Sequence, residues 1–157
     1  MGKEIERKYL VDRSRWQQPE SGIRIMQCYL VRNGDLTLRL RLTDEQAFLT
    51  LKGRTNGISR SEFEYAVPRE DALDMLKEFP VSKSVIKTRY YTEVDGFRWE
   101  VDVFEGDNAG LCVAEIELPS DDTVFTLPEW AICEVSHDRR YRNAYLADHP
   151  YQEWQDK

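Results

Sequence analysis

The sequence predicts a mainly β fold of the α+β class, in which an eight-stranded antiparallel β-barrel closes around a lumen and carries a few peripheral helices. Most of the 157 residues fall into short stretches of alternating polar and apolar residues, which is the pattern of half-buried strands. Turn sequences such as NGD at 33–35 and DG at 95–96 separate these stretches and favour antiparallel hairpins. Charged residues recur on one face of nearly every predicted strand. Closure of the sheet would bring those faces into one lumen.

Eight strands and two helices account for most of the chain. The strands are predicted at Glu4–Val11, Arg24–Val31, Asp35–Thr43, Gln46–Gly53, Arg60–Val67, Ser84–Glu93, Phe97–Glu105 and Leu111–Leu118. A first helix is predicted after Pro68, because REDALDMLKEF has acidic residues in its first turn and leucines on one face. A second helix is predicted to begin after Asp138 and to run through Tyr145. No linker or repeat divides residues 1–157, so we expect one domain, with HPYQEWQDK at 149–157 as a frayed end.

The composition limits the partners that this protein could have. The chain has 22 Lys and Arg residues against 29 Asp and Glu residues, a net charge of −7, which argues against an extended surface for nucleic acid or for an anionic membrane. Its three cysteines form no CxxC spacing and are typical of reduced thiols. The sequence has neither an apolar leader nor a long apolar segment. We therefore expect a cytoplasmic protein with no nucleic-acid or membrane partner.

The alternation within the strands assigns the two faces of the barrel. In the segment LTLRLRL, leucines occupy every second position and Arg39 and Arg41 lie between them, so the leucine face must turn toward the apolar core. Glu4, Glu6 and Lys8 share a face in the same way. An ordinary solvated face would explain any single strand. Charges of like sign nevertheless repeat along several strands, which costs stability unless a ligand neutralises them.

The charged faces have a donor set that suits phosphate and a hard metal ion. The predicted inward basic residues are Lys8, Arg39, Arg41, Lys52, Lys87 and Arg89. Such a group of cations matches the oxygens of a polyanion. The predicted inward carboxylates are Glu4, Glu6, Glu62, Glu64, Glu100, Asp102, Glu115 and Glu117. Carboxylates without Cys or His suit Mg²⁺ or Mn²⁺. A small-molecule substrate with several linked phosphates, bound together with such a metal, would satisfy both sets.

The order of these motifs resembles a known family. EIERK at 4–8 resembles the ExExK signature of the CYTH superfamily, also called triphosphate tunnel metalloenzymes. The motifs that follow in the family's order are RLR at 39–41, TLK at 50–52, EFEY at 62–65, KTRY at 87–90, EVDVF at 100–104, EIEL at 115–118 and HDRRYRN at 137–143. The resemblance spans nearly the whole chain. It implies a closed eight-stranded tunnel and the cleavage of a triphosphate with Mg²⁺ or Mn²⁺.

The resemblance also implies roles for individual residues. The triphosphate-binding residues would be Lys8, Arg39, Arg41, Lys52, Lys87, Arg89 and Arg139. The metal ligands would be Glu4, Glu6, Glu115 and Glu117, with Glu62, Glu64 and Asp102 as further ligands or water-positioning groups. Lys8 and Tyr29 would form the catalytic pair of the short bacterial members. Two positions depart from the family pattern: Cys28 stands where relatives often have Gly, on the face opposite Tyr29, and Arg139 replaces a commoner Lys.

The leading prediction is a metal-dependent hydrolase of inorganic triphosphate or related triphosphates. Lys8 or a carboxylate would accept the proton of the attacking water. Several alternatives stay open at this stage: an adenylyl cyclase of class IV type, a thiamine triphosphatase, an RNA 5′-triphosphatase as the least favoured enzyme, a non-catalytic sensor of polyphosphate or nucleotide, and a barrel with merely solvated faces. Outward apolar faces on a small barrel make a homodimer plausible.

Overall fold

The structure, a computed structural model, describes residues 2–154 and contains nine β-strands and two α-helices in that range. The strands are β1 (Lys3–Val11), β2 (Ile23–Arg32), β3 (Thr37–Leu42), β4 (Ala47–Lys52), β5 (Ser59–Val67), β6 (Val85–Val94), β7 (Phe97–Phe104), β8 (Cys112–Glu117) and β9 (Ala131–Glu134). The helices are α1 (Arg69–Glu78) and α2 (Asn143–Asp148), with 3₁₀ turns at Gly106–Asn108, Arg139–Tyr141 and Tyr151–Glu153. The eight predicted strands are confirmed, and each end lies within two residues of its predicted position.

The strands close into an antiparallel barrel. Their order is β5-β4-β3-β2-β6-β7-β8-β1, and β1 pairs with β5 to complete the circle. At this seam Lys3 to Ile5 pair with Ser61 to Ser59. The Gly2 carbonyl accepts a hydrogen bond from the Glu62 amide at 3.0 Å. Gly2 has a φ of 62°, and a Cβ there would lie 2.4 Å from the Phe63 ring, so only glycine fits this end of the seam. The predicted closed barrel is confirmed.

The strand β9 was not predicted. It pairs with β1 from Tyr9 to Val11, beyond the part of β1 that pairs with β5. Three of its four residues are exposed. Such a short strand has no alternating burial pattern, and therefore no period-two signal in the sequence.

The segment after β9 differs from the predicted helix. The helix expected from Asp138 through Tyr145 is divided into a 3₁₀ turn and α2, because Arg142 between them has an extended backbone (φ −74°, ψ 138°). The predicted frayed end is also wrong for residues 149–154. Trp154 packs edge-on against Tyr141, with ring centroids 5.3 Å apart. Residues 155–157 lie outside the described range.

The apolar core lies on the outer side of the barrel. Trp99 is fully buried and packs edge-on against Trp130, with centroids 5.4 Å apart. On another side Ala72 of α1 packs in a buried cluster with Leu40 and Cys28. The peripheral segments therefore cover much of the outer apolar surface, though not Phe63 and Tyr65 of β5, and the charged faces turn inward. No helix within residues 2–154 combines the length and apolar character needed to cross a membrane.

Candidate active site

The barrel encloses a cavity of about 890 Å³ lined mainly by charged side chains. All but one of the residues predicted as site residues line it. Those that do are Glu4, Glu6, Lys8, Tyr29, Arg39, Arg41, Lys52, Glu62, Glu64, Lys87, Arg89, Glu115, Glu117 and Arg139. They come from seven of the eight barrel strands and from the turn that precedes α2. Alternation along the strands thus brings residues far apart in sequence into one space.

The exception is Asp102, which lies behind the cavity wall. Its carboxylate is fully buried and accepts two hydrogen bonds from Arg89, at 2.8 and 3.0 Å. It also pairs with Lys87 Nζ at 2.7 Å. Burial alone would raise the pKa of Asp102, but Arg89 and Lys87 lower it to about 2. Both of its oxygens are therefore occupied by cations of this chain.

The two basic residues that pair with Asp102, Lys87 and Arg89, have pKa values shifted in opposite directions. Burial lowers the pKa of Lys87 to about 7, with Asp102 opposing and Arg89 and Arg41 adding to the shift. Burial also disfavours the charged form of Arg89, but Asp102 and Glu100 hold its pKa well above the ordinary value. Lys87 Nζ donates in addition to Asn143 Oδ1 at 3.0 Å. Both side chains are more than nine-tenths buried, so their positions are fixed before any ligand binds.

On the opposite wall carboxylates lie against one another. Lys52 Nζ stands 3.5 Å from Glu4 Oε1 and 3.2 Å from Glu62 Oε2. Burial and a hydrogen bond to Glu62 raise the pKa of Glu4 to about 8. Burial and the neighbouring Glu115 likewise raise the pKa of Glu6 well above its ordinary value. Glu4 and Glu6, two carboxyl groups of β1, thus both favour the protonated form more than an exposed glutamate does, mainly because they are buried.

Lys8 and Tyr29 both line the cavity. Lys8 Nζ donates to the Tyr141 carbonyl at 3.1 Å and pairs with Glu115 Oε1 at 3.4 Å. Burial opposes the charge, but Glu115, Glu6 and Asp102 raise the pKa of Lys8. Burial also raises the pKa of Tyr29, against Arg39, Arg41 and Lys8. Cys28 lies on the outer face as predicted, so its replacement of glycine does not alter the Tyr29 side of the strand.

The donor set fits a hard divalent cation in its chemistry. Glu4 Oε1 is buried and accepts no hydrogen bond from any donor in residues 2–154, and an acidic oxygen in that state is a suitable ligand for Mg²⁺ or Mn²⁺. Within the same range, no three His, Cys, Asp or Glu side chains already converge closely enough to hold a metal. The carboxylates would therefore share a metal with other ligands.

Comparison with known proteins places this barrel in a family. Residues 2–144 match the model of the CYTH domain. The chain belongs to the CYTH domain family. An inorganic triphosphatase of Acetivibrio thermocellus is 41% identical over 157 residues, which cover 99% of this chain and all of that protein. An inorganic triphosphatase of Nitrosomonas europaea is 37% identical over 149 residues, which cover 92% of this chain and 96% of that protein.

Solved structures share the CYTH fold. The crystal structure of the inorganic triphosphatase NE1496 matches with a TM-score of 0.64 and 33% identity, and the match covers 91% of this chain and 96% of that one. A putative adenylate cyclase from Bacillus halodurans matches with a TM-score of 0.63 over 76% of this chain and 83% of that one. At 17% identity the second likeness extends to the fold alone. The resemblance inferred from the motifs is confirmed.

The sequence reasoning missed three residues at this site: Arg60 and Asn143, which line the CYTH cavity, and Gln27, which is fully buried and lies outside that lining. Arg60 faces Glu4 across the seam and shares the inner face of β5 with Glu62. Gln27 donates to Asn143 Oδ1 at 2.7 Å and accepts from Arg41 Nε at 3.1 Å. Alternation with Glu62 and with Tyr29 would have placed Arg60 and Gln27 inside. No such signal exists for Asn143, because it belongs to the irregular segment after β9.

Proposed function

We propose that this protein hydrolyses inorganic triphosphate with a divalent metal ion, Mg²⁺ or Mn²⁺. The observation that carries the proposal is the single cavity of about 890 Å³ that brings together seven predicted phosphate-binding cations and six predicted carboxylate ligands. The names of the two similar triphosphatases support the same reaction. Residues 1–157 would act as one domain.

The basic side chains would hold the phosphates. The cavity is lined by Arg39, Arg41, Lys52 and Arg139. They would act together with Lys87 and Arg89, whose side chains pair with Asp102. Guanidinium groups bind phosphate oxygens through two parallel hydrogen bonds, which orients the chain of phosphates as well as neutralising it. We assign Asp102 the role of positioning Lys87 and Arg89, a change from the predicted metal ligand, because both of its oxygens bind these cations.

The carboxylates of the other wall would hold the metal. The proposed ligands are Glu4, Glu6, Glu115 and Glu117, supported by Glu62 and Glu64. When bound, the metal would supply Lewis-acid neutralisation of the phosphate oxygens and orientation of water. Because the chain by itself brings no three acidic ligands together in residues 2–154, phosphate oxygens and water would complete the coordination, as is usual for Mg²⁺ with phosphate substrates.

The proton assignment differs from one of the predicted options. The raised pKa of Lys8 keeps this amine charged, so it would stabilise negative charge or donate a proton to the leaving phosphate and would not accept one. A carboxylate would take the proton of the attacking water. Tyr29, near Arg39 and Lys8 in a buried position, would remain a neutral hydroxyl that donates to a phosphate oxygen.

The test measures phosphate release by the full chain from tripolyphosphate, pyrophosphate, ATP and thiamine triphosphate, each with Mg²⁺, Mn²⁺ or EDTA. We expect tripolyphosphate to be hydrolysed fastest, with no turnover in EDTA. Glu117→Gln should lower kcat/KM at least about 100-fold, because Glu117 lines the cavity. Glu129→Gln is the matched control, since Glu129 is exposed and outside that lining.

Three outcomes would contradict the proposal. Equal activity of Glu117→Gln and Glu129→Gln would contradict the assignment of Glu117 as a metal ligand. Cyclic AMP as the main product from ATP would favour the cyclase. Tight binding of tripolyphosphate with no release of phosphate would favour a sensor.

The remaining partner predictions are part of this proposal. The substrate would be a small polyanion, with no nucleic acid or membrane involved, and the cytoplasm remains the predicted location. A homodimer would cover the outer face of β5, where Phe63 is 49% and Tyr65 59% exposed. Sedimentation equilibrium of the full chain checks this point, and a monomer at all concentrations would exclude it.

A further inference from the structure

Arg41 differs from the other predicted inward cations of the barrel in the partner that holds it. Five of the six have a carboxylate partner at 2.7 to 3.6 Å, namely Lys8, Arg39, Lys52, Lys87 and Arg89. Within residues 2–154, Arg41 makes no such ion pair, and its side-chain hydrogen bond runs from Nε to Gln27 Oε1, at 3.1 Å. Arg41 nevertheless lines the cavity. A neutral side chain therefore holds this cation.

Gln27 is buried on the same face of β2 as Tyr29. Its side chain is fully buried, and the strand register places it directly opposite Arg41 of β3. Its Nε2 donates a second hydrogen bond, to Asn143 Oδ1 at 2.7 Å. Both ends of the Gln27 amide are thus occupied, and this fixes the orientation of a buried polar side chain.

Asn143 extends this network to a second cation. It is the first residue of α2, and its Oδ1 also accepts a hydrogen bond from Lys87 Nζ, at 3.0 Å. Lys87 Nζ pairs in addition with Asp102 at 2.7 Å. The side chains of Gln27 and Asn143 therefore connect Arg41 to Lys87, and we call them the amide bridge.

A neutral acceptor fixes a cation without cancelling its charge. A carboxylate in place of Gln27 would bind Arg41 more strongly, but it would also compete with phosphate for the guanidinium. Within residues 2–154, Nη1 and Nη2 of Arg41 make no hydrogen bond, because Gln27 occupies Nε alone. Burial, followed by the charges of Arg39 and Arg89, lowers the pKa of Arg41 to about 10. The side chain thus stays charged at neutral pH and keeps that charge for a ligand.

We propose that Gln27 is a positioning residue for triphosphate binding. It presents the uncancelled charge of Arg41 to a phosphate group, and through Asn143 it holds Arg41 and Lys87 in a fixed relation. This inference rests on the proposed triphosphatase function. Gln27 itself would not touch the substrate, because it lies outside the cavity lining. Its effect on binding must therefore pass mainly through Arg41, and a double-mutant cycle measures that dependence.

The first variant, Gln27→Met, removes both hydrogen bonds of the side chain at nearly constant volume. KM for tripolyphosphate should rise about tenfold, because the charge-assisted contact of Arg41 with phosphate is misplaced. The value of kcat should change less than about threefold, since that contact forms before the reaction and persists through it. Calorimetric titration of tripolyphosphate in EDTA should show a similar loss of affinity without any turnover.

The matched control is Asn108→Leu, which removes another buried amide at nearly constant volume. Asn108 Oδ1 accepts a hydrogen bond from the Tyr151 amide at 2.9 Å, and the residue lies outside the cavity lining. We expect this variant to lose stability in urea unfolding but to bind tripolyphosphate as the wild type does. The comparison separates a loss of stability from a loss of positioning.

Two further variants test how Gln27 acts. Gln27→Glu keeps an acceptor for Arg41 Nε but adds a negative charge. At pH 7 it should weaken tripolyphosphate binding about tenfold or more, because the new carboxylate competes with phosphate for Arg41. In a chain that already carries Arg41→Leu, Gln27→Met should weaken binding less than about threefold further, since the cation that it positions is gone.

The outcomes separate this inference from the proposed function. Weaker binding in Gln27→Met and Gln27→Glu, with wild-type affinity in Asn108→Leu, supports the inference, and Gln27→Glu carries the test if Gln27→Met does not fold. Wild-type affinity in Gln27→Glu, or an equal effect of Gln27→Met with and without Arg41, would overturn it. If the wild-type chain binds tripolyphosphate but releases no phosphate, the triphosphatase proposal alone fails, and calorimetry decides the role of Gln27.

Discussion

The two walls of the cavity handle buried charge in opposite ways. On the β6–β7 wall, Asp102 contacts both Lys87 and Arg89 at 2.7 to 3.0 Å, so each charge has a partner. On the β1–β5 wall, Glu4 and Glu62 share the single amine of Lys52 at 3.5 and 3.2 Å. The first wall is complete within the polypeptide, whereas the second holds an excess of acid.

The difference separates structural charge from charge kept for a ligand. A buried pair that is fully hydrogen-bonded repays part of its desolvation cost and fixes its members in place. A buried carboxyl group that shares one cation with another acid instead favours its protonated form, as the raised pKa of Glu4 indicates. In our proposal the first wall presents preset cations to phosphate, and the second gives up protons when a metal arrives.

Asp102→Ala should break the first wall and have the largest effect on stability. We expect the free energy of unfolding to fall by about 3–5 kcal/mol, because Lys87 and Arg89 would be left buried without their carboxylate. Urea unfolding at pH 7 measures this difference. The control is Asp107→Ala, an exposed carboxylate in the turn after β7. A loss below about 1 kcal/mol in Asp102→Ala would contradict the structural role.

The lowered pKa of Asp102 also sets the pH range in which Asp102→Ala should lose stability relative to the wild type. The pKa of Asp102 is lowered to about 2 in the folded chain, below the value of about 3.9 for an unfolded aspartate. Its contribution is therefore complete above about pH 4 and is lost as the pH falls toward 2. The difference between wild type and Asp102→Ala should narrow over that window.

Metal binding at the second wall should weaken as the pH falls. A metal must displace the proton of Glu4, whose pKa is about 8. Below pH 8, apparent affinity should therefore fall about tenfold per pH unit for each proton released. Calorimetric titration of Mn²⁺ at pH 6, 7 and 8 measures the slope, and repeating it in buffers of different ionisation enthalpy counts the protons. If the affinity for Mn²⁺ does not vary with pH, the carboxyl group of Glu4 is not a metal ligand.

Alternation explains why so much of the fold and the site could be predicted. Strands such as β3, with Arg39 and Arg41 between leucines, assign both faces from sequence alone. Residues of all eight predicted strands were placed in one lumen on this basis, and the predicted site residues of seven of these strands line a common cavity. Which cations pair with which acids was not predictable, because pairing depends on the register between strands far apart in sequence, such as Arg89 opposite Asp102.

The segment after β9 marks the limit of this reasoning. Asn143, Arg142 and the Tyr141 carbonyl enter the cavity from a 3₁₀ turn and a short helix, whose positions follow from tertiary packing. Neither period two nor period 3.6 applies across an extended break at Arg142. The role that we propose for Asp102 differs from the predicted one for a related reason: parity placed it inward, but its ion pairs with Lys87 and Arg89 were not visible in the sequence.

Glu4→Gln should give the smallest change in stability. Unlike Asp102→Ala, it should make the protein more stable. The folded-state pKa of Glu4, about 8, lies above its unfolded value, so the stability that its protonation provides is full below about pH 4 and is lost as the pH rises through 8. Glutamine stays neutral in both states and can still donate to Glu62. In metal-free buffer at pH 7 we therefore expect the variant to be more stable by about 0.5–2 kcal/mol, with the gain disappearing near pH 4. Urea unfolding at both pH values measures it. A variant less stable than wild type at pH 7 would mean that Glu4 is ionised and paired with Lys52, and the two walls would then be alike.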